Sequence, residues 1–201
     1  MSNKIRMSNE NRSSITRGAL IRAARHLFLE KGYAEASTPE LVRSAGVTRG
    51  ALYHHFEDKK SVFRAVVEQE LSEVAETIRQ STIIPATAMA ALNSGTRAYL
   101  DAMQIPGRAH LLLVEGPAAL GVQCMKQLND ASAGQTLRDG LEAAMASGEI
   151  RTLPLSALTA LLDAAFDRAA LEIAGGASFE DISTTLSALL DGLTAREQRE
   201  R

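Results

Sequence analysis

Residues 37–60 constrain this chain more than any other stretch. They read STPELVRSAGVTRGALYHHFEDKK, two short amphipathic segments hinged at one glycine. Thr38 is a helix-capping residue type and Pro39 suits a first helical position, so the spacing predicts a helix opening there. Leu41, Val42 and Ala45 form its apolar side, and Gly46 supplies the left-handed conformation that closes a helix. Val47 plugs the hinge, Thr48 caps a second helix, and Ala51, Leu52 and Phe56 give that helix a core-facing stripe. Arg49, Gly50, Tyr53 and His54 are left off the stripe. Two helices so arranged make a helix-turn-helix, and the polar face of the second suits a DNA major groove.

The remainder follows one periodicity. Val and Ile never alternate with polar residues over a strand's length, and apolar residues recur instead at three- and four-residue steps, so the fold class is all-α. Hydrophobic residues make up 45% of the 201, but aromatics only 4% with no Trp, so the core is one of Ala, Leu and Val. The net charge of −2 conceals a division. Residues 1–64 hold 12 Lys and Arg against 6 Asp and Glu, a net of +6, while residues 65–201 hold 10 against 18, a net of −8. A basic head on an acidic body suits a polyanionic partner for the head alone. No apolar run approaches the roughly 20 residues of a membrane span, and the polar, basic start is not that of a secretory signal. A single cysteine, Cys124, fits a reducing cytoplasm.

Along the chain, residues 1–12 read as a flexible basic arm with Lys4, Arg6 and Arg12, suited to lie along phosphates, or else as an untidy terminus. A first helix is expected over 14–31, with Ile15, Ala19, Ala23, Leu27 and Phe28 on one face and Gly32 closing it. Asp58 caps a long helix over 59–81 whose Val62, Phe63, Val66, Val67, Leu71, Val74 and Ile78 share a stripe. That helix leaves the basic head and enters the acidic body without a break. Further helices are expected over 85–103, 117–129, 135–147, 154–174 and 178–196, with a short apolar segment over 108–115 cut off by Gly116 and Pro117. On the last helix Phe179, Ile182, Leu186, Leu189 and Leu193 form a heptad-like seam beside the Ala-rich face of 155–174. That seam, with Leu158, Leu162, Ala165 and Ala169, fits a dimer interface or an intrachain core equally well.

Residues 17–71 resemble the DNA-binding domain of the TetR family of bacterial regulators. The resemblance rests on LFLEKGYAEAST, SAGVTRGALYHHF and DKKSVFRAV in that order, a combination far more specific than a bare helix-turn-helix. It implies a homodimer with a three-helix DNA head over 13–72, and a ligand-binding and dimerisation domain over 73–201. It also implies repression of a palindromic (inverted-repeat) operator relieved by a small molecule. The run LLLVEGPAALG is similar to a segment of many family members and identifies no ligand. Carried over by position, Thr38 and Thr48 meet phosphates at helix starts. Arg49 and Gly50 sit where side chains reach base edges, and an Arg there can bond guanine O6 and N7 together. Tyr53 and His54 match phosphate-clamping positions, His55 is a weaker match that fits a place towards Phe56 as well, and Lys59 matches a phosphate-binding lysine.

A ligand pocket is expected among helices of 85–170, with candidates Tyr99, Met103, His110, Glu115, Gln123, Cys124, Phe166 and Asp167. Each has a plainer reading as core or surface, and the composition points to a neutral, mostly apolar effector. No cofactor and no metal are called for, since adjacent His54 and His55 diverge by about 100° on a helix. An enzyme is disfavoured by the lack of a Gly-rich phosphate loop, a His-Glu-x-x-His pattern or a nucleophile elbow. An architectural DNA-binding dimer with a collapsed body, and a redox sensor using Cys124, are the remaining alternatives.

Overall fold

The computed structural model describes residues 9–83 and 86–195, with side chains from residue 13 onward. The helices are α1 (Asn9–Glu35), α2 (Thr38–Ser44), α3 (Arg49–His55), α4 (Lys59–Ser81), α5 (Ala88–Met103), α6 (Arg108–His110), α7 (Gly116–Leu120), α8 (Val122–Asp130), α9 (Ala133–Ala146), α10 (Leu155–Ala174) and α11 (Phe179–Asp191). A π-helical turn, Leu111–Glu115, joins α6 to α7. Among the described residues the fold is all-α, apart from one isolated bridge between Ile150 and Thr194. Residues 1–8 of the basic arm expected over 1–12 lie outside the described residues, and the backbone of 9–12 belongs to α1.

In the head, the long first segment of α1 closes at Gly32, whose φ of 78° and ψ of 165° are non-helical, before a short turn to Glu35, and its buried face begins at Leu20, leaving Ile15 exposed. The helix-turn-helix forms as the spacing predicts, with one shift at its start. The cap of α2 is Ser37 and not Thr38, because only Ser37 has an acidic residue three positions on. The Glu40 backbone N–H donates to Ser37 Oγ, and the Ser37 N–H donates to the Glu40 carboxylate at 3.1 Å, a reciprocal capping box. Gly46 (φ 65°) turns the chain, and Thr48 Oγ1 accepts the Ala51 N–H at 3.1 Å to start α3. Leu41, Leu52 and Phe56 close over Leu20 and Phe28, and Phe28 meets Phe63 of α4 edge to face at 5.1 Å.

Helix α4 keeps the expected bounds, and all seven residues of its apolar stripe are buried. One hydrophobic cluster therefore runs from α1–α4 into α6, the π turn, α7 and α8, through Met103, Leu111, Leu112 and Met125. A second, of Leu92, Leu100, Leu141, Phe166, Leu186 and Leu190, holds α5, α9, α10 and α11 together.

The body differs from expectation at its breakers. Helix α5 opens at Ala88, not at Pro85, because Thr87 caps it and the Glu149 carboxylate accepts the N–H groups of Ala88 and Met89. Gly116 and Pro117 do not interrupt the chain. In the π turn the Gly116 N–H bonds the Leu111 carbonyl, and this wider turn admits a proline ring that an α-helical turn would reject. The break falls at Gly121 (φ 95°), dividing the helix expected over 117–129. Helix α11 stops at Asp191, short of residue 196, as the Arg151 N–H donates to Leu193 O and the Ala195 N–H to Glu149 O.

Those contacts bear on the expected seam. Leu186 and Ala169 are buried inside this chain, and Leu158, Leu162, Ala165, Ile182 and Leu193 pack partly buried against the same cluster. Of the eight candidate interface residues only Leu189 is largely exposed, at 57%, and Leu161, which the seam did not include, is 72% exposed. A three–four repeat records which face is apolar, and here the core of the same chain takes most of that face.

Candidate nucleic-acid interface and effector cavity

The outer face of the helix-turn-helix carries Thr48, Arg49, Gly50, Tyr53 and His54, all exposed, with Thr38 half-exposed at the start of α2. Freed from capping, the Thr38 hydroxyl is available at that helix start, whereas Thr48 uses an oxygen lone pair for its cap and keeps its proton to donate. The Arg49 guanidinium lies over the Tyr53 ring, 5.5 Å from its centroid, so the two side chains hold one another on the outer face. Arg17 lies similarly over Phe56 at 5.2 Å. Arg17, Arg43, Arg49 and Lys60 are exposed and form no ion pair among the described residues, which leaves a cationic surface beside α3. His55 turns partly inward. Its burial, and then the nearby His54 and Arg17 charges, push its pKa below the ordinary imidazole value. No metal-holding group of His, Cys, Asp or Glu forms among the described residues.

Lys59 is placed otherwise than the resemblance implies. Its ammonium donates to the carbonyls of Tyr33, Ala34 and Ala36 at 2.8, 3.2 and 3.0 Å and lies 4.5 Å from the centroid of the Tyr33 ring. All its donors thus satisfy the frayed end of α1.

In the body a cavity of about 680 Å³ opens between α4, α5, the π turn, α8, α9 and α10. Its walls are mostly apolar, with Leu71 and Val74 from α4, Met103 from α5, Leu112 and Met125. A smaller cavity of about 450 Å³ adjoins it and shares Tyr99, Gln135 and Asp163. Of the expected pocket residues, Tyr99, Met103 and Asp167 line the larger cavity and Phe166 the smaller. His110 and Gln123 are exposed, and half-buried Cys124 packs against the first core cluster. Glu115 reaches the head instead, where its Oε1 accepts the Tyr33 N–H at 3.2 Å. A Cβ on Gly32 would lie 2.7 Å from the same oxygen, so the positive φ and the close approach both require glycine there.

The polar groups of the larger cavity come from α5, α8, α9 and α10, and two buried acids, Asp163 and Asp167, stand on α10. Tyr99 OH donates to Asp167 Oδ1 at 2.7 Å, and Asn129 Nδ2 lies 2.9 Å from each oxygen of Asp163. Burial, together with the neighbouring Asp163 charge and despite the Tyr99 bond, pushes Asp167 up to about 6. Asp163 is raised chiefly by burial. Sequence reasoning missed Asp163, Asn129 and Arg138. The signal was present for the first, since Asp163 and Asp167 stand four apart on an otherwise Ala- and Leu-rich helix.

A buried ion network between head and body was missed as well. Glu70 of α4, 1% exposed, accepts from Arg25 of α1 and, at 2.7 Å, from Arg108 of α6, itself 2% exposed. Arg108 also donates to Glu73 at 2.6 Å and to Ala102 O at 3.0 Å.

The comparisons with known proteins agree along the chain. Residues 20–66 match the family model for bacterial regulatory proteins of the tetR family, and residues 89–194 match that for the tetracyclin repressor-like C-terminal domain. The HTH-type transcriptional repressor AcnR of Corynebacterium glutamicum is 27% identical over 180 residues, covering 88% of this chain and 91% of that protein. The transposon Tn10 TetC protein of Escherichia coli is 40% identical over 83 residues, 41% of this chain and 42% of its own length. Among solved structures, a TetR-family transcriptional regulator from Pectobacterium atrosepticum superposes with a TM-score of 0.72 at 27% identity, over 94% of this chain and 99% of that one. FadR of Bacillus subtilis, solved with stearoyl-CoA, shares the fold at a TM-score of 0.76 and 17% identity, over 89% and 99%. With its head and most of its body matched by the family's own models, the chain belongs to the TetR family of DNA-binding transcriptional regulators.

Proposed function

We propose that the chain is a cytoplasmic, homodimeric repressor that binds an inverted-repeat operator through residues 48–56 and is released when a mostly apolar small molecule fills the body cavity. The observation that carries this reading is the double role of α4. Its first half, with Val62 and Phe63, is the floor of the head, while Leu71 and Val74 further along form a wall of the cavity. A ligand pressing on that wall acts on the same rigid helix that supports α3. On an operator the two α3 helices of a dimer must stand about one DNA turn apart, roughly 34 Å, or a multiple of it. A ligand that binds better to the conformation with another spacing shifts the population away from DNA.

The reading divides the chain into an arm (1–12), a head (13–72) and a body (73–201). Arg49 and Gly50 face the base edges, and Thr38, Thr48, Tyr53 and His54 the phosphates. His55 and Lys59 act within the head. Leu161 and Leu189 centre the surface that meets the second subunit. The repressor AcnR, similar over most of its length, supports the direction of control. An architectural DNA-binding dimer needs no cavity, and the space of about 680 Å³ disfavours it. The test is a fluorescence-anisotropy titration of full-length protein against DNA flanking its own gene, repeated with a metabolite library. Binding to an inverted repeat that one compound abolishes is expected. Tight operator binding that no compound alters would favour the architectural dimer.

A further inference from the structure

The cavity's charge is unevenly placed. Its apolar walls come chiefly from α4, α5 and the π turn, with Val122 and Met125 of α8 beside the polar Lys126, Asn129 and Asp130, whereas Asp163 and Asp167 stand one turn apart on α10. Each carboxylate meets only a neutral donor, Asn129 for Asp163 and Tyr99 for Asp167, and neither forms an ion pair among the described residues. A carboxylate offers about four lone-pair sites, so most of Asp167's capacity is unused. The cations lining the cavity are engaged or remote. Lys126 pairs with Asp130. Arg138 reaches exposed Ser156 at 3.5 Å, which stands seven residues up α10 from Asp163 and eleven from Asp167, about 10 and 16 Å away along the helix axis. Burying carboxylates with no cation within hydrogen-bonding reach is costly, and burial shifts both acids upward, with the Lys126 charge offsetting part of that shift at Asp163.

We propose that the molecule this cavity accepts carries a cationic nitrogen, a protonated amine or its equivalent, on a mostly apolar body, and that the Asp163–Asp167 pair receives that nitrogen. This rests on the reading of the cavity as the effector site. It replaces the neutral ligand suggested by composition with a singly positive one. The ammonium takes the carboxylate sites that Asn129 and Tyr99 leave open, while Leu71, Val74, Met103 and Leu112 enclose the hydrocarbon. An anionic ligand would have to place its charge at the rim beside Arg138 and its apolar part over the two acids.

Isothermal titration of the full-length protein near neutral pH with naphthylbutylamine, naphthylbutanol and naphthylbutanoate tests this. The amine is expected to bind at least about tenfold more tightly than the alcohol, with the carboxylate weakest. The double variant Asp163→Asn/Asp167→Asn, isosteric and checked for fold by circular dichroism, should lose the amine's advantage over the alcohol. An alcohol or carboxylate equal to the amine, or an advantage that survives the double variant, overturns the charge assignment. Leu113 of the π turn also lines the cavity, and Leu113→Trp, which narrows it, tests occupancy of the cavity apart from the charge preference. If none of the probes binds, or if Leu113→Trp leaves every affinity unchanged, the effector-site reading falls and the charge assignment with it. If Leu113→Trp abolishes alcohol binding while the amine shows no advantage, the charge assignment alone falls.

Discussion

Arg49 and Lys59 show how far a residue's role can be carried from a motif. Arg49 stands exposed at the first position of α3, stacked on Tyr53, where a guanidinium can bond one guanine edge. Arg49→Ala is expected to weaken operator binding by about 1–3 kcal/mol and to relax the preference at one base pair, measured by anisotropy against single-position operator variants. Lys59 matches the motif equally well, yet its ammonium caps the carbonyls that end α1. Lys59→Ala is therefore expected to lower the stability of the chain by about 1–2 kcal/mol in urea denaturation and to leave the salt dependence of DNA binding unchanged. A flattened salt slope at unaltered stability would restore the phosphate role. The sequence identified both residues as important, but could not distinguish them, because the Tyr33, Ala34 and Ala36 carbonyls are brought to Lys59 only when α1 docks on α4.

At the scale of elements, α4 ties the head to the body through charge as well as through apolar contact. Glu70 interrupts the apolar stripe and is answered by Arg25 from α1 and Arg108 from α6. Desolvation would raise its pKa, but the two guanidiniums outweigh burial and hold it below the ordinary carboxylate value. A folded-state pKa depressed in this way contributes stability above the unfolded value of about 4.3 and loses it as pH falls through the folded value. Glu70→Gln leaves buried Arg108 with only Glu73 as a carboxylate partner, and is expected to cost about 3–5 kcal/mol near neutral pH. The gap should narrow in acid, as followed by denaturation at a series of pH values. A constant gap would assign the loss to packing. The helix bounds were legible where caps are local, as at Asp58, Thr48 and Ser178, whose side chains accept N–H groups three residues on. At α5 the local cap, Thr87, accepts the Ala90 N–H in the same way, but the Ala88 and Met89 N–H groups go to Glu149 about sixty residues away, a partner that no local pattern reveals.

For the whole molecule, the question is which apolar surface remains once the chain has folded. Leu186 and Ala169 are consumed by the second core cluster, while Leu161 and Leu189 remain exposed on the last two long helices. Under the proposed dimer, Leu161→Arg together with Leu189→Arg is expected to yield monomers in light scattering coupled to size exclusion. With them the avidity of two heads on one operator is lost, a fall in apparent affinity on the order of a hundredfold. An unchanged mass would place the interface on another face. Cys124, half-buried against the first core, has a packing role in this molecule, and a sensing role would require an oxidant response that Cys124→Ser removes.

The sequence by itself determined what is short-range. The 3.6-residue periodicity, the caps at Thr48 and Asp58 and the hinge at Gly46 place α3 and α4 and make the fold all-α, because each depends on residues within a few positions of one another. Tertiary structure alone decided where the charged side chains of the body and linkage went. Glu70 finds Arg25 and Arg108 from 45 and 38 residues away, and Asp167 finds Tyr99 from 68. Whether a carboxylate in an apolar run becomes a strut, a ligand anchor or a surface charge depends on which partners share its low-dielectric surroundings, and in this chain those partners come from other helices.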